Sequence, residues 1–133
     1  MTDLVFFYGT LMTGFARRGC AGVDDRLVCL GGGLIQAALF DLGFYPAAVP
    51  AHDFRVRGEV HRMRDPRSVL DVLDEIEGFS AHEPLTSLYT RDETTVALDS
   101  GETVRAWAYF YNAPLGQAVR IESGNYLEHL KLG

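Results

Sequence analysis

Asp65-Pro66-Arg67-Ser68-Val69-Leu70-Asp71-Val72-Leu73-Asp74-Glu75-Ile76-Glu77-Gly78 decides how the rest of the chain is read. Asp65 is a residue type that caps helix N-termini. Pro66 suits the first helical position, where its missing N–H costs nothing. Val69, Leu70, Val72, Leu73 and Ile76 recur at helical spacing, and Gly78 is a natural stop. No other long helix is offered. The flanking segments are patterned as strands and do not alternate with helices, so the chain reads as one β-rich α+β domain over residues 1–133.

Working outward, Leu4-Val5-Phe6-Phe7-Tyr8 is a β-branched and aromatic run that stops at Gly9, as a buried strand does. The polar segment Thr10 to Gly22 holds one helical turn around Phe15 to Arg18. Asp25 to Asp41 resumes as strand, with a bend or bulge at Gly31-Gly32-Gly33. Phe44 to Val49 reads as a separate short edge segment, because Pro46 and Pro50 lack ladder donors. Phe54 to Met63 alternates, with Phe54, Val56, Gly58 and Val60 on one face and Arg55, Arg57, Glu59 and His61 on the other. Leu88 to Leu98 and Thr103 to Tyr111 form a hairpin through Asp99-Ser100-Gly101-Glu102. Residues 112–119 read as loop, and Ser123 to Leu132 as a helix capped by Ser123.

Composition narrows the function classes. Of 133 residues, 47% are hydrophobic and 23% charged, an ordinary globular balance large enough to fold without metal or disulfide. Twelve Lys and Arg against 18 Asp and Glu give a net charge of −6. That balance disfavours nucleic acid and anionic membranes as partners, since both need a basic surface. No apolar run approaches a membrane span and the N-terminus lacks a basic signal region, so a cytoplasmic location is expected. Cys20 and Cys29 form no CxxC pair and read as buried apolar fillers. The four histidines show no ligand spacing, so neither a metal site nor a cofactor is expected.

One acid in the helix stands on the wrong face. On a wheel of about 100° per residue with Leu70 at zero, the apolar stripe runs from roughly 200° at Val72 through 300° at Leu73 and round to Leu70. Asp74, Asp71 and Glu75 fall between roughly 40° and 140°, whereas Glu77 lands near 340°, between Leu73 and Leu70. Burial and the negative end of the helix dipole both push such a carboxyl's pKa upward, towards the range useful for proton transfer at neutral pH. The alternative is that Glu77 pairs with Arg91 or Arg105, or frays into water.

The second feature is the loop Tyr8-Gly9-Thr10-Leu11. A strand that ends in a glycine turn leaves consecutive N–H groups unpaired, and these can hold a carboxylate, a phosphate or an oxyanion. A plain strand-to-loop transition with no ligand is the competing explanation.

Together these segments resemble the γ-glutamylcyclotransferase-like family, which includes γ-glutamylamine cyclotransferases and the butirosin-pathway enzyme. Tyr8-Gly9-Thr10-Leu11 is similar to the loop that ends the family's first strand, with Thr10 where other members carry Ser. Leu73-Asp74-Glu75-Ile76-Glu77-Gly78 matches the Leu-Asp-x-x-Glu-Gly end of its helix, and Tyr89-Thr90-Arg91 its Tyr-x-Arg strand opening. Gly43-Phe44-Tyr45-Pro46 looks like its Gly and Tyr-Pro element. Ser123-Gly124-Asn125-Tyr126 is similar to a later Ser-Gly-Asp-aromatic segment, with Asn in place of Asp. The matches run in order from residue 4 to about residue 128.

The resemblance implies a small mixed β-barrel flanked by helices. It also implies a γ-glutamyl amide as small-molecule substrate, cyclised to 5-oxoproline with release of an amine. Glu77 would be the general acid/base, needing neither metal nor protein nucleophile. Gly9, Thr10 and Leu11 would bind the α-carboxylate and ammonium end through the loop backbone. Tyr8 and Tyr89 would line the substrate, unless each is a buried tyrosine bonded to backbone; Tyr126 reads as packing. A different amide or amine transfer, or a non-catalytic small-molecule-binding domain of the same fold, are the alternatives. Neither the leaving amine nor the oligomeric state follows from the sequence.

Overall fold

Leu4–Phe7 is apolar at every position, and all four residues are buried. A strand needs that composition only when both of its faces are covered. In the computed structural model, which describes residues 2–132, side chains on both faces of this segment are buried. This strand, β1, lies between β3 (Pro46–Met63) and β5 (Thr103–Tyr111). Arg18, from the short helix α1 (Ala16–Cys20), lies over the Phe7 ring at 5.7 Å.

The ring continues from β5 to β4 (Tyr89–Leu98), then to β2 (Leu27–Asp41), which pairs back to β3. Five strands thus close a barrel. Val5 pairs with Trp107 in parallel, and the other pairings are antiparallel, so the barrel is mixed. Closure leaves no long open edge within the ring. A two-residue strand β6 (Val119–Arg120) adds to β2 within a stretch that reads as loop. Phe6, Ile35, Leu39, Val56, Val60 and Val96 are among the fully buried larger side chains of the sheet. Helix α2 (Pro66–Glu77) adds Val69, Leu70 and Leu73 to this core, and α3 (Tyr126–Leu132) adds Tyr126. Among the described residues, no helix is long and apolar enough to cross a membrane.

Several local expectations change. Phe44 to Val49 is not a separate edge segment, because β3 begins at Pro46 and pairs Pro46 with Asp41 and Pro50 with Ala37. The prolines fit because β1 engages β3 only at residues 59–62, which leaves their other side unpaired. The β2–β3 register shifts between Gln36 and Ala37, as their partners jump from Arg55 to Pro50. The glycine-rich bend is a bulge centred on Leu30. His61 is 1% exposed rather than on an open face, since Phe7 and the Glu59 carboxylate cover it. Cys20 and Cys29 are exposed, not core fillers.

The helix ends also differ in detail. Asp65 adopts φ 51° and makes no side-chain cap; its carbonyl accepts from Val69 N–H and Ser68 Oγ instead. Asn125, not Ser123, caps α3, its Oδ1 accepting from Glu128 N–H at 3.2 Å. Gly78 terminates α2 as expected, at φ 67°, with Phe79 N–H donating to Asp74 O at 2.9 Å. That stop makes Glu77 the last helical residue and fixes where its side chain points.

Candidate active site

A partly open pocket lies where β1 ends, lined by the Tyr8–Leu11 loop, Arg17, Tyr45, Pro46, Glu77, Tyr89 and Tyr109. The two features singled out in the sequence, the Tyr8–Leu11 loop and Glu77, therefore meet. Glu77 is 9% exposed, and burial pushes its pKa up to about 7 against a smaller opposing pull from Arg17. Among the described residues its carboxylate accepts no hydrogen bond. Arg17 Nη1 stands 3.9 Å from Oε1, beyond hydrogen-bonding range.

Neither arginine expected as a partner is the one found. Arg91 forks onto Asp74 at 2.8 and 3.1 Å, and Arg105 donates to Thr95 Oγ1. Asp74 reads from the wheel as a solvated acid, yet its side chain is 17% exposed, held by Arg91 and by the Tyr109 hydroxyl at 2.6 Å. The helix end thus carries two acids in opposite states. Asp74 is fully partnered, while Glu77 is open to the pocket.

The loop presents donors to the same space. Met12 N–H closes a turn onto Gly9 O at 3.0 Å, whereas the N–H groups of Gly9, Thr10 and Leu11 donate to no protein acceptor among the described residues. Adjacent N–H groups left free in this way are of the kind that can hold an anionic oxygen. The loop is held from behind by Glu59, whose Oε1 accepts from Thr13 N–H and Oγ1 at 3.0 and 3.1 Å.

Tyr8 and Tyr89 line the pocket with their hydroxyls turned to the backbone. Tyr8 Oη donates to Tyr109 O at 2.7 Å and accepts from Ala48 N–H at 3.2 Å, so it is fully engaged. Tyr89 Oη donates to Pro46 O at 3.0 Å and keeps acceptor capacity. Burial pushes both phenols well above their usual pKa, so each stays neutral. Tyr126 is packing, stacked on Phe15 with centroids 6.1 Å apart. Tyr8→Phe is expected to cost about 1–3 kcal/mol in urea unfolding, because it strands the Ala48 N–H and removes a buried tie between β3 and β5. An unchanged midpoint would show that the tie is dispensable.

Arg17 and Tyr109 are pocket residues that the sequence does not single out, and Tyr45 is noted there only within the Gly and Tyr-Pro element, with no site role. Arg17 lies in a segment with no periodicity, and only its neighbourhood to the glycine loop hints at its place.

The closed mixed barrel and the pocket at the end of its first strand define the γ-glutamylcyclotransferase fold. The chain belongs to the family described as gamma-glutamyl cyclotransferase, AIG2-like, whose pattern matches residues 5–128. It is similar to the gamma-glutamylcyclotransferase family protein ytfP of Citrobacter rodentium, 31% identical over 126 residues, covering 93% of this chain and 95% of that protein. Among solved structures, YkqA from Bacillus subtilis aligns with a TM-score of 0.75 at 23% identity, over 99% of this chain. This chain spans only 42% of YkqA. The mouse AIG2-like protein aligns with a TM-score of 0.65 at 21% identity, covering 84% of this chain and 79% of the other. At such identities these structures speak to the fold.

Proposed function

We propose that this chain converts a γ-glutamyl amide to 5-oxoproline and a free amine, with Glu77 as general acid/base. The observation that carries the reading is the buried Glu77 carboxyl, its pKa near 7, facing the free N–H groups of Gly9, Thr10 and Leu11 across one pocket. Those donors would hold the substrate's α-carboxylate and so bring its α-ammonium towards Glu77.

Ionised Glu77 takes a proton from the ammonium. The freed amine attacks the side-chain amide carbonyl, forming the new C–N bond of a five-membered ring. The old C–N bond then breaks as the proton held by Glu77 passes to the departing nitrogen, and the ring nitrogen, left with two protons by the attack, gives one up to solvent. Because the nucleophile is tethered to the carbonyl, the substrate itself removes much of the entropic barrier. A carboxyl titrating near 7 suits both halves of this exchange, being a base strong enough to accept and an acid strong enough to return the proton. Tyr8 and Tyr89 contribute apolar walls, and Tyr89 Oη offers a lone pair to the ammonium.

The test is release of 5-oxoproline across γ-glutamyl amino acids, γ-glutamyl amines and γ-glutamyl-lysine isopeptide, with Glu77→Gln as control. Consumption of substrate without 5-oxoproline would overturn the reaction assigned. The acidic limb of kcat/KM is expected near pH 7, activity rising as Glu77 loses its proton. A limb near pH 4.5 would place the titrating base elsewhere.

A further inference from the structure

Arg17 is the one cation lining the pocket among the described residues, and the proposed proton transfers make no use of it. Its guanidinium joins parts of the chain that fold separately. Nη1 donates to Thr10 Oγ1 at 2.9 Å, and Nη2 donates to the Ile76 carbonyl at 3.1 Å, one residue before Glu77. Its plane lies over the Tyr45 ring, 5.6 Å from the centroid.

The pairing with Glu77 is of a different kind. A flexible arginine beside a carboxylate ordinarily closes to a direct, often forked hydrogen bond, as Arg91 does on Asp74 in this molecule. Here both bonded acceptors are neutral oxygens, and they hold the guanidinium 3.9 Å from Glu77 Oε1. At that separation the charge still acts on the carboxylate, but no proton is shared and both carboxylate oxygens stay free for a ligand.

We infer that Arg17 is a positioning residue of this pocket: by bridging Thr10 to the end of α2 it sets the spacing between the Tyr8–Leu11 loop and Glu77, and it holds a positive charge near that carboxylate without occupying it. The kinetic consequences of this role rest on the proposed cyclisation; the structural role does not. The other titratable groups lining the pocket with Glu77 are the phenols Tyr8, Tyr45, Tyr89 and Tyr109, and burial keeps Tyr8, Tyr89 and Tyr109 neutral. Arg17 is therefore the charged group acting on Glu77, and it acts to favour the ionised form.

Lysine and methionine separate the two parts of the role. Lysine keeps the charge but lacks the planar fork that spans two acceptors, and methionine keeps bulk while losing both. The experiment titrates 13C-carboxyl-labelled glutamate by NMR in wild type, Arg17→Met and Arg17→Lys, with Glu77→Gln identifying the resonance, alongside kcat and KM for 5-oxoproline release. In Arg17→Met the Glu77 midpoint is expected to rise by about one pH unit. The acidic limb of kcat/KM should move with it, and kcat/KM at pH 7 should fall roughly tenfold or more. In Arg17→Lys the midpoint is expected to stay close to wild type while KM rises.

A folded Arg17→Met protein whose Glu77 titrates as in wild type would overturn the inference. So would an Arg17→Lys protein with wild-type KM, which remains decisive should the methionine variant fail to fold. If wild type releases no 5-oxoproline, the cyclisation is overturned, and the NMR midpoints still decide the role of Arg17.

Discussion

Glu77→Gln is expected to lower 5-oxoproline release by roughly 10²–10⁴-fold while making the protein more stable in mildly alkaline solution. Both effects have one cause. Gln preserves the shape of the side chain but neither accepts nor returns a proton, so the chemistry loses its acid/base. It also removes a carboxyl that the fold holds in its neutral form, displaced from 4.5 to about 7 by burial. The folded pKa lies above the unfolded one. The stability this gives is complete below about pH 4.5 and is lost as pH rises to about 7, amounting to about 3 kcal/mol.

Gln carries no such penalty. The stability difference between Glu77→Gln and wild type should therefore widen in the variant's favour from pH 5 to pH 8.5, with other titrating groups cancelling in the comparison. Urea unfolding at the two pH values measures it. A gap that stays flat, or turnover within about threefold of wild type, contradicts a buried, proton-exchanging Glu77.

Gly58→Ala should produce a large loss of stability. Gly58 lies on β3 beside β1, where a Cβ would fall on the Phe7 carbonyl oxygen and come within 2.6 Å of Phe6 Cζ. Neither neighbour can yield cheaply. The carbonyl is backbone in a strand covered on both faces, and Phe6 is 1% exposed. Overpacking of this kind costs about 3 kcal/mol where backbone has to move. The expected reading is a fall in thermal midpoint on the order of 10 °C. Activity should fall as well, because Phe6 and Phe7 lead directly into the Tyr8 loop. A midpoint within about 2 °C of wild type would show that β1 and β3 can separate at this point at little cost.

The parts of the molecule legible in the sequence are those set by local periodicity. Helix α2 could be read because its apolar residues repeat at helical spacing, and the same wheel placed Glu77 on the buried side. Leu4-Val5-Phe6-Phe7 could be read because a doubly covered strand must be apolar throughout. The wheel failed at Asp74, since it knows the helix's own faces and not the neighbours: Arg91 and Tyr109 arrive from β4 and β5 and enclose a residue on the polar side. Arg17 escaped notice for a related reason. Its role depends on Thr10 and on the Ile76 carbonyl, the latter 59 residues away, and no spacing rule connects them. The prolines of β3 suggested an edge correctly in chemistry but wrongly in extent. A strand paired on one side along part of its length looks like two elements until its partners are known.

The parallel pairing of β1 with β5 has a consequence for how this chain is made. β1 is made before the other strands of this barrel, yet Val5 cannot meet Trp107, nor Tyr8 its acceptor at Tyr109, 101 residues on, until those later strands have emerged. Until then Leu4-Val5-Phe6-Phe7 has at most one neighbour, and its other edge is open to a strand from another molecule. Synthesis that pauses before Trp107 leaves that apolar edge waiting, so the hazard to this protein lies in the moments of its production more than in the working life of its finished barrel.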